Sequence, residues 1–377
     1  MRNYSGPRGL NIRSDFMAQK MIHYDIHPLM KVNADWNILY GERSNGKSYQ
    51  AKYEIMFAPE ILEDDKRFIL VWRYDDDMKN AKLEKYFEDV DVSRLTDGKY
   101  NTISIYRKEV FLANYISTRK MERGKKIGYC IPLQHEGAFA GSSYLDVDNM
   151  IYEEFMPRDK PYLYQEPDKL MNLYCTVDRK QKRVKVWMIG NTISRVCPYL
   201  YDWDLYPIVR KQEQGTIEIK EIPVSEYGDS IKLAIEHCKA TGQTSFTIGK
   251  HSAMLNTGEW QSDPQPHLRV PYRDCRLLCR CIFQYSGFGF IGEYLTYNGD
   301  KFWFVYPKTR QDIYGYIYVF SDQIRESKTW ACDPYHSNTR NPVLQRFFDD
   351  FREDKIFYST DLDGTEFKQA INFEIRR

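Results

Sequence analysis

The stretch Asp35 to Gln50 constrains this chain more than any other. Within it, Gly41-Glu42-Arg43-Ser44-Asn45-Gly46-Lys47-Ser48 fits the phosphate-loop pattern G-x-x-x-x-G-K-[ST] at every fixed position. Trp36 to Tyr40 before it reads as a short buried strand, and Ser48 to Glu54, with Tyr49 at its start, reads as the first turns of a helix. Glycines let backbone N–H groups turn inward around phosphate oxygens, and the helix N-terminus adds a positive dipole end. The pattern gives Lys47 the β- and γ-phosphates of a nucleoside triphosphate and gives the Ser48 hydroxyl to Mg²⁺. A strand–loop–helix of this kind demands an α/β sheet around it.

Net charge is +1 over 377 residues, so no global field draws the chain to nucleic acid, and any such contact must come from local basic clusters. No apolar run is long enough to span a bilayer, and Met1 to Gln19 lacks the apolar core of a signal peptide, which points away from a membrane partner. The eight cysteines are scattered, as suits reduced thiols in a cytoplasm. Cys275, Cys279 and Cys281 lie close together, but without a C-x-x-C pair they read as buried thiols rather than a zinc site.

Upstream of the loop, Phe16 to Leu29 carries Gln19 and Tyr24. These residues suit an adenine pocket, the glutamine reading the base edge and the tyrosine stacking on its face; a helix packed on the sheet explains them equally. Downstream, Phe68 to Tyr74 is a second buried strand, Lys79 to Val90 a helix or broken helix, and Asn101 to Tyr115 paired strands. The basic run from Arg119 through Lys120, Arg123 and Lys125 to Lys126 is a hairpin tip, either a solvated turn or a phosphate-backbone contact. Asp148 to Phe155 runs from an apolar strand into Glu153 and Glu154, the place for a Walker B pair. There Glu153 holds Mg²⁺ and Glu154 activates the attacking water. Pro167 to Asp178 is an amphipathic helix ended by Arg179, whose plain reading is a charge complementing the helix dipole. Val184 to Ile189 is another buried strand, and Asn191 beyond it is a γ-phosphate sensor candidate.

The chain therefore divides into an α/β P-loop domain over residues 1–204, with helices on both faces of a largely parallel sheet, and two further parts. Residues 205–247 read as a linker or lid carrying an amphipathic helix from Ser225 to Thr241. Residues 248–377 read as a small α+β domain: strands over Leu277 to Tyr285, Ile291 to Tyr297, Lys301 to Tyr306 and Tyr314 to Phe320, an Asn298-Gly299 hairpin turn, and a helix from Pro342 to Phe351 capped by Asn341.

Several short pieces in this order resemble one family, the DNA-packaging ATPases of small φ29-type bacteriophages. They are Gln19-Lys20-Met21, Tyr24-Asp25, the P-loop with arginine third, Trp72-Arg73-Tyr74, Tyr86-Phe87, Ile131-Pro132-Leu133 and Ile151 to Phe155. Asn172-Leu173, Thr176-Val177-x-Arg179, Arg183-Val184, Asn191 and Pro198-Tyr199 follow. The resemblance covers most of residues 16 to 205 and is weaker beyond, at Phe288 to Pro307 and Tyr335-His336.

It implies a ring translocase of the additional-strand P-loop class, five copies at the portal vertex of a preformed capsid driving double-stranded DNA inward with ATP. Its setting is the host cytoplasm, attached transiently to the procapsid, with a structural RNA as a further partner in some relatives. It assigns Arg43 to contact the nucleotide in cis, Glu154 as catalytic glutamate, Asn191 as a sensor that restrains Glu154, and Arg179 as a finger reaching into the neighbouring subunit's site. The family's Walker B usually has aspartate where Glu153 stands. The C-terminal part resembles the RNase H-like domain with which larger packaging motors cut DNA. Here Glu293, Asp300, Asp333 and Asp361 make no convincing two-metal cluster, so nucleic-acid binding is expected rather than cleavage; Arg273, Arg276 and Arg280 are either its contacts or a solvated charged face. The competing readings are a packaging terminase that also cleaves DNA, a P-loop nucleotide kinase, and a P-loop fold that only binds nucleotide.

Overall fold

A computed structural model describes residues 24–117, 120–158, 160–224, 229–242, 257–285, 288–309, 316–319, 329–331 and 342–375. Gln19, Arg119, Asp333, Asn341 and the Tyr335-His336 pair lie outside these residues.

The larger sheet has nine strands: β1 (Trp36–Gly41), β2 (Arg67–Trp72), β3 (Thr102–Tyr106), β4 (Glu109–Ser117), β5 (Lys120–Pro132), β6 (Val147–Glu153), β7 (Lys185–Asn191), β8 (Thr216–Pro223) and β9 (Ser230–His237). Their order is β3-β4-β5-β2-β6-β7-β1-β9-β8. The inner strands from β5 to β9 all run parallel, with β4 and β8 antiparallel at the margins. Alternate side chains feed two cores. Leu39, Phe68 and Leu70 face one, under the helices Lys47–Ala51 and Asn80–Tyr86. Ile38, Tyr40, Ile69, Val71, Tyr152 and Met188 face the other, where the helix Glu166–Asp178 supplies Leu170, Leu173 and Val177. Burial of each such side chain contributes about 1.5–3 kcal/mol, so the central strands are fixed in register by both faces at once.

One expected element is corrected. Residues 230–237 form β9, not part of a helix, and β9 pairs directly with β1 through Trp36↔Leu233 to Tyr40↔His237. The run Ile231, Leu233, Ala234, Ile235, Cys238 satisfies a helical spacing, but the strand is buried on both sides, which erases the alternation that marks a strand. The sheet therefore runs on through the segment read as a linker.

The second sheet is formed by β10 (Arg276–Tyr285), β11 (Phe288–Tyr297), β12 (Asp300–Pro307), β13 (Tyr316–Val319), β14 (Thr329–Ala331) and β15 (Ile356–Tyr358), in the order β14-β13-β10-β11-β12-β15. Its first three strands are antiparallel and β13 joins parallel to β10, as in an RNase H-like domain. Asn298 and Gly299 both take positive φ (50° and 92°), the two-residue turn the hairpin requires. The helices Pro342–Arg352 and Asp361–Ile375 cover this sheet around Phe283, Phe290, Trp303, Phe347 and Phe367. Val196 and Tyr201, beyond the end of β7, pack into the same core, and buried Arg195 pairs with buried Glu366.

Candidate active site

The parallel strands β1, β2, β6, β7 and β9 end along one edge of the sheet, where open α/β folds bind ligands. Gly41 ends β1 and is paired with Asn191 at the end of β7. Gly41 sits close against the end of β9: a Cβ there would lie 3.1 Å from Cys238 Cβ, so a side chain fits only if Cys238 gives by a few tenths of an ångström. Gly46 takes φ 98° and ψ 7° at the cap of the helix Lys47–Ala51, a left-handed turn that glycine adopts without strain. Ser44 is also left-handed, at φ 65°.

Lys47 is buried, 4% exposed, and its Nζ donates to the Glu42 carbonyl (2.5 Å), Asn45 Oδ1 (3.1 Å) and Asn191 Oδ1 (3.4 Å). Burial lowers its pKa from the usual lysine range. The Ser48 hydroxyl donates to Glu153 Oε2 at 3.0 Å, and the Tyr86 hydroxyl donates to Glu153 Oε1 at 2.7 Å. Burial pushes the Glu153 carboxyl up, against those two hydrogen bonds. Glu154 follows at φ 55° with its side chain exposed. With Arg43, Glu153 and Asn191 it lines a cleft of about 260 Å³ that Trp72, Arg73, Asp77, Lys82, Arg158 and Lys160 also border. An ammonium, a hydroxyl and a carboxylate at these distances are the donor set a Mg²⁺–triphosphate needs. The amide nitrogen of Asn45, buried inside the loop, has no partner among the described residues.

Arg73 shapes the same edge from below. It donates to Glu166 Oε2 (2.7 Å) and Oε1 (2.9 Å), and to the carbonyls of Glu154 (3.1 Å) and Phe155 (2.9 Å). Glu166 is fully buried and also accepts from Tyr152 (2.6 Å), Tyr199 (3.0 Å) and the Leu163 N–H (2.7 Å). Neither Arg73 nor Glu166 stands out in the sequence as a site residue. The available signal is a charge closing a buried strand, in Trp72-Arg73-Tyr74.

Other expected residues fall elsewhere. Tyr24 lies under the loop rather than open to a base: its N–H donates to the Asn45 carbonyl (2.9 Å) and its buried hydroxyl to Glu236 Oε2 (2.6 Å). Buried Glu42 is committed to Thr241, accepting from its N–H at 2.8 Å. Exposed Tyr49 packs its ring on Tyr53, centroids 4.5 Å apart.

Arg179 ends its helix in a left-handed residue (φ 51°) and donates to the Ser142 carbonyl at 2.9 Å. The helix starts beside Arg73 and ends where β6 and β7 begin, about 20 Å away for its 13 residues. Arg179 is thus on the opposite edge of the sheet from the loop of its own chain.

Of the basic hairpin, β5 begins at Lys120, and Asn114 to Ser117 with Lys120 to Glu122 extend beyond the strands on either side. Arg123 donates to Ser104 Oγ (3.1 Å), Lys126 pairs with Glu109 (3.0 Å), and Lys125 donates to the carbonyls of Leu62 (3.1 Å) and Asp64. Three of the five expected phosphate contacts are therefore folded back onto the domain. Arg280 is likewise engaged, its Nη2 2.6 Å from the fully buried Glu293, which also accepts from Tyr272 (2.5 Å) and Tyr306 (3.2 Å).

The sequence profile of the podovirus DNA encapsidation protein (Gp16) family matches residues 18–248. The chain belongs to this family. Among relatives of this podovirus DNA encapsidation family, the chain is 26% identical over 272 residues to the DNA packaging protein of Bacillus phage phi29, covering 71% of this chain and 74% of that one. It is 28% identical over 272 residues to the DNA packaging protein of Bacillus phage PZA, with the same coverage. In fold it is similar to a chain of the bacteriophage Phi-29 viral genome packaging motor assembly, with a TM-score of 0.60, 19% identity, and 94% and 99% of the two chains covered. The chain is thus one of the viral DNA-packaging proteins. Among the described residues no helix is long and apolar enough to cross a membrane.

Proposed function

We propose that this chain hydrolyses ATP at the loop between β1 and the helix Lys47–Ala51, and that the cycle drives double-stranded DNA into a preformed capsid. The observation that carries this reading is the convergence of Lys47, Ser48, Glu153, Glu154 and Asn191 at one edge of the sheet. Gly41 to Ser48 bind the triphosphate through backbone N–H groups, and Lys47 exchanges its carbonyl partners for phosphate oxygens. Ser48 and Glu153 would hold Mg²⁺, and the ion would supply positive charge against the triphosphate. Glu154 takes a proton from the attacking water, held in the cleft by its strand-end position. Asn191 bridges Lys47 to the end of β7, so that loss of the γ-phosphate is felt along that strand. Arg43, exposed on the cleft wall, contacts the nucleotide of its own chain.

The working form is a ring, a pentamer by resemblance, seated on the portal of a procapsid in the host cytoplasm, with a structural RNA as a further partner. Arg179 serves the neighbour's site. Lys120 and the projecting hairpin, with Arg119, are the DNA contacts this reading favours, and the tied-back Arg123, Lys125 and Lys126 support them from behind. The C-terminal domain binds nucleic acid through exposed Arg273 and Arg276 rather than cutting it.

The test is Glu154→Gln on the assembled portal–capsid complex. It removes the base while keeping the shape, so ATP affinity should hold within about threefold while hydrolysis and packaging fall by at least about 10²-fold. Hydrolysis at the wild-type rate would overturn the assignment.

A further inference from the structure

Tyr86 ends the helix Asn80–Tyr86, on the core that lies behind the phosphate loop. Its ring is wedged on three sides. Trp72 meets it edge-on with centroids 5.3 Å apart, Phe87 at 4.9 Å, and Lys52 Nζ stands 4.7 Å over its face. Lys52 also donates to the Tyr86 carbonyl at 2.7 Å, which fixes the main chain at the helix end. Held in this way, the hydroxyl donates to Glu153 Oε1 at 2.7 Å, while Oε2 accepts from Ser48 Oγ at 3.0 Å. The two carboxylate oxygens thus have different partners, and only Oε2 is aimed at the residue that ends the P-loop motif.

Glutamate has one more rotatable bond than aspartate and loses more rotamer freedom when it is fixed. We propose that Tyr86 is the positioning residue that lets a glutamate serve in a place where aspartate is usual. By holding Oε1 it keeps the longer side chain extended and points Oε2 at Ser48. Groups one shell out from a metal commonly act in this way, orienting the carboxylate that makes the contact. The inference rests on the reading of Glu153 and Ser48 as the metal-holding pair. Lys52 is part of the device, since it stacks on the tyrosine ring and ties it to the helix that carries Ser48.

The experiment titrates Mg²⁺ into the full-length chain with a fluorescent ATP analogue and reads binding rather than turnover. Four proteins are compared with wild type: Tyr86→Phe, Glu153→Asp, the double substitution, and Glu153→Gln. Phenylalanine keeps the ring packing, so Tyr86→Phe should stay folded, with its thermal midpoint lowered only by the loss of one buried hydrogen bond. The Mg²⁺ concentration for half-maximal binding should rise about tenfold in Tyr86→Phe, with binding in EDTA unchanged. In the Glu153→Asp background the shorter carboxylate cannot reach Tyr86 and Ser48 together. There Tyr86→Phe should shift the midpoint by no more than about twofold. An unchanged Mg²⁺ concentration for half-maximal binding in Tyr86→Phe, or an equal shift of it in both backgrounds, would overturn the positioning role. A Glu153→Gln protein with wild-type Mg²⁺ dependence would instead overturn the metal reading itself, whatever Tyr86 does.

Discussion

Glu236 lies one residue before the end of β9, 7% exposed, with the Tyr24 hydroxyl on Oε2. Burial pushes its carboxyl from an ordinary value of 4.5 up to about 7, against the Tyr24 hydrogen bond and nearby Lys47. Between those two values the folded chain keeps a proton that the unfolded chain has released. Stability therefore falls as pH rises from about 4.5 to about 7 and levels off above, by up to about 3 kcal/mol. Glu236→Gln keeps an acceptor for Tyr24 and removes the titration. Urea unfolding midpoints measured from pH 4.5 to pH 8 should show the variant gaining on wild type as pH rises; parallel curves would refute the assignment. This group was invisible in the sequence because a single acid in an apolar run carries no mark of where the strand will lie. Lys47, Ser48, Glu153 and Asn191 were legible because fixed spacing or a strand-end position forces each to one edge. Tyr24 sits beside the loop, but its hydroxyl is spent on Glu236.

Single elements decide how Glu154 is presented. A left-handed residue other than glycine costs about 1–2 kcal/mol, and Glu154 sits in that region at φ 55°. Its carbonyl is held by Arg73, which joins the ends of β2 and β6 to the start of the helix Glu166–Asp178. Arg73→Lys retains the charge but cannot reproduce the planar fork that serves four acceptors. The variant should fold with a stability loss on the order of 2–3 kcal/mol, and kcat should fall about tenfold or more with little change in KM. A KM effect alone would show that Arg73 serves binding rather than the geometry of Glu154. Most of the central strands were readable as apolar runs between turn signals, yet β9 was not. A parallel strand flanked by β1 and β8 is buried on both faces, and its eight residues fit a helix as well as a strand. The helix Asp361–Ile375 was also missed, although Thr360 and Asp363 make a reciprocal cap: the Asp363 N–H donates to Thr360 Oγ1 at 3.0 Å and the Thr360 hydroxyl to Asp363 Oδ2 at 2.7 Å.

At the scale of the whole molecule, the proposed trans assignment of Arg179 would set two halves of one reaction at opposite edges of the large sheet. The loop, Glu153, Glu154 and Asn191 lie at the strand C-termini, and Arg179 lies beyond the far end of a helix about 20 Å long that starts beside Arg73. An arginine so placed can act on a nucleotide only by head-to-tail packing, in which one copy's far edge covers the next copy's cleft and repeated contacts close a ring. Beyond β7, Ser194 donates to Gln369 Oε1 at 2.5 Å and Arg195 pairs with Glu366, so the strand that ends in Asn191 is tied directly to the C-terminal helix. A change at the γ-phosphate would therefore reach the second domain through one short segment. The trans assignment is tested by mixing subunits on the portal–capsid complex. Glu154→Gln and Arg179→Ala should each lower ATP hydrolysis by on the order of 10³-fold when alone. In a random equal mixture about a quarter of the interfaces join an intact Glu154 to a neighbour's intact Arg179, so measurable activity should return, up to about a quarter of wild type for independent sites. An inactive mixture would mean that Arg179 works through its own subunit's Ser142 contact. A fully active Arg179→Ala ring would leave that arginine as a charge complementing a helix end, and the neighbour would supply nothing to the chemistry.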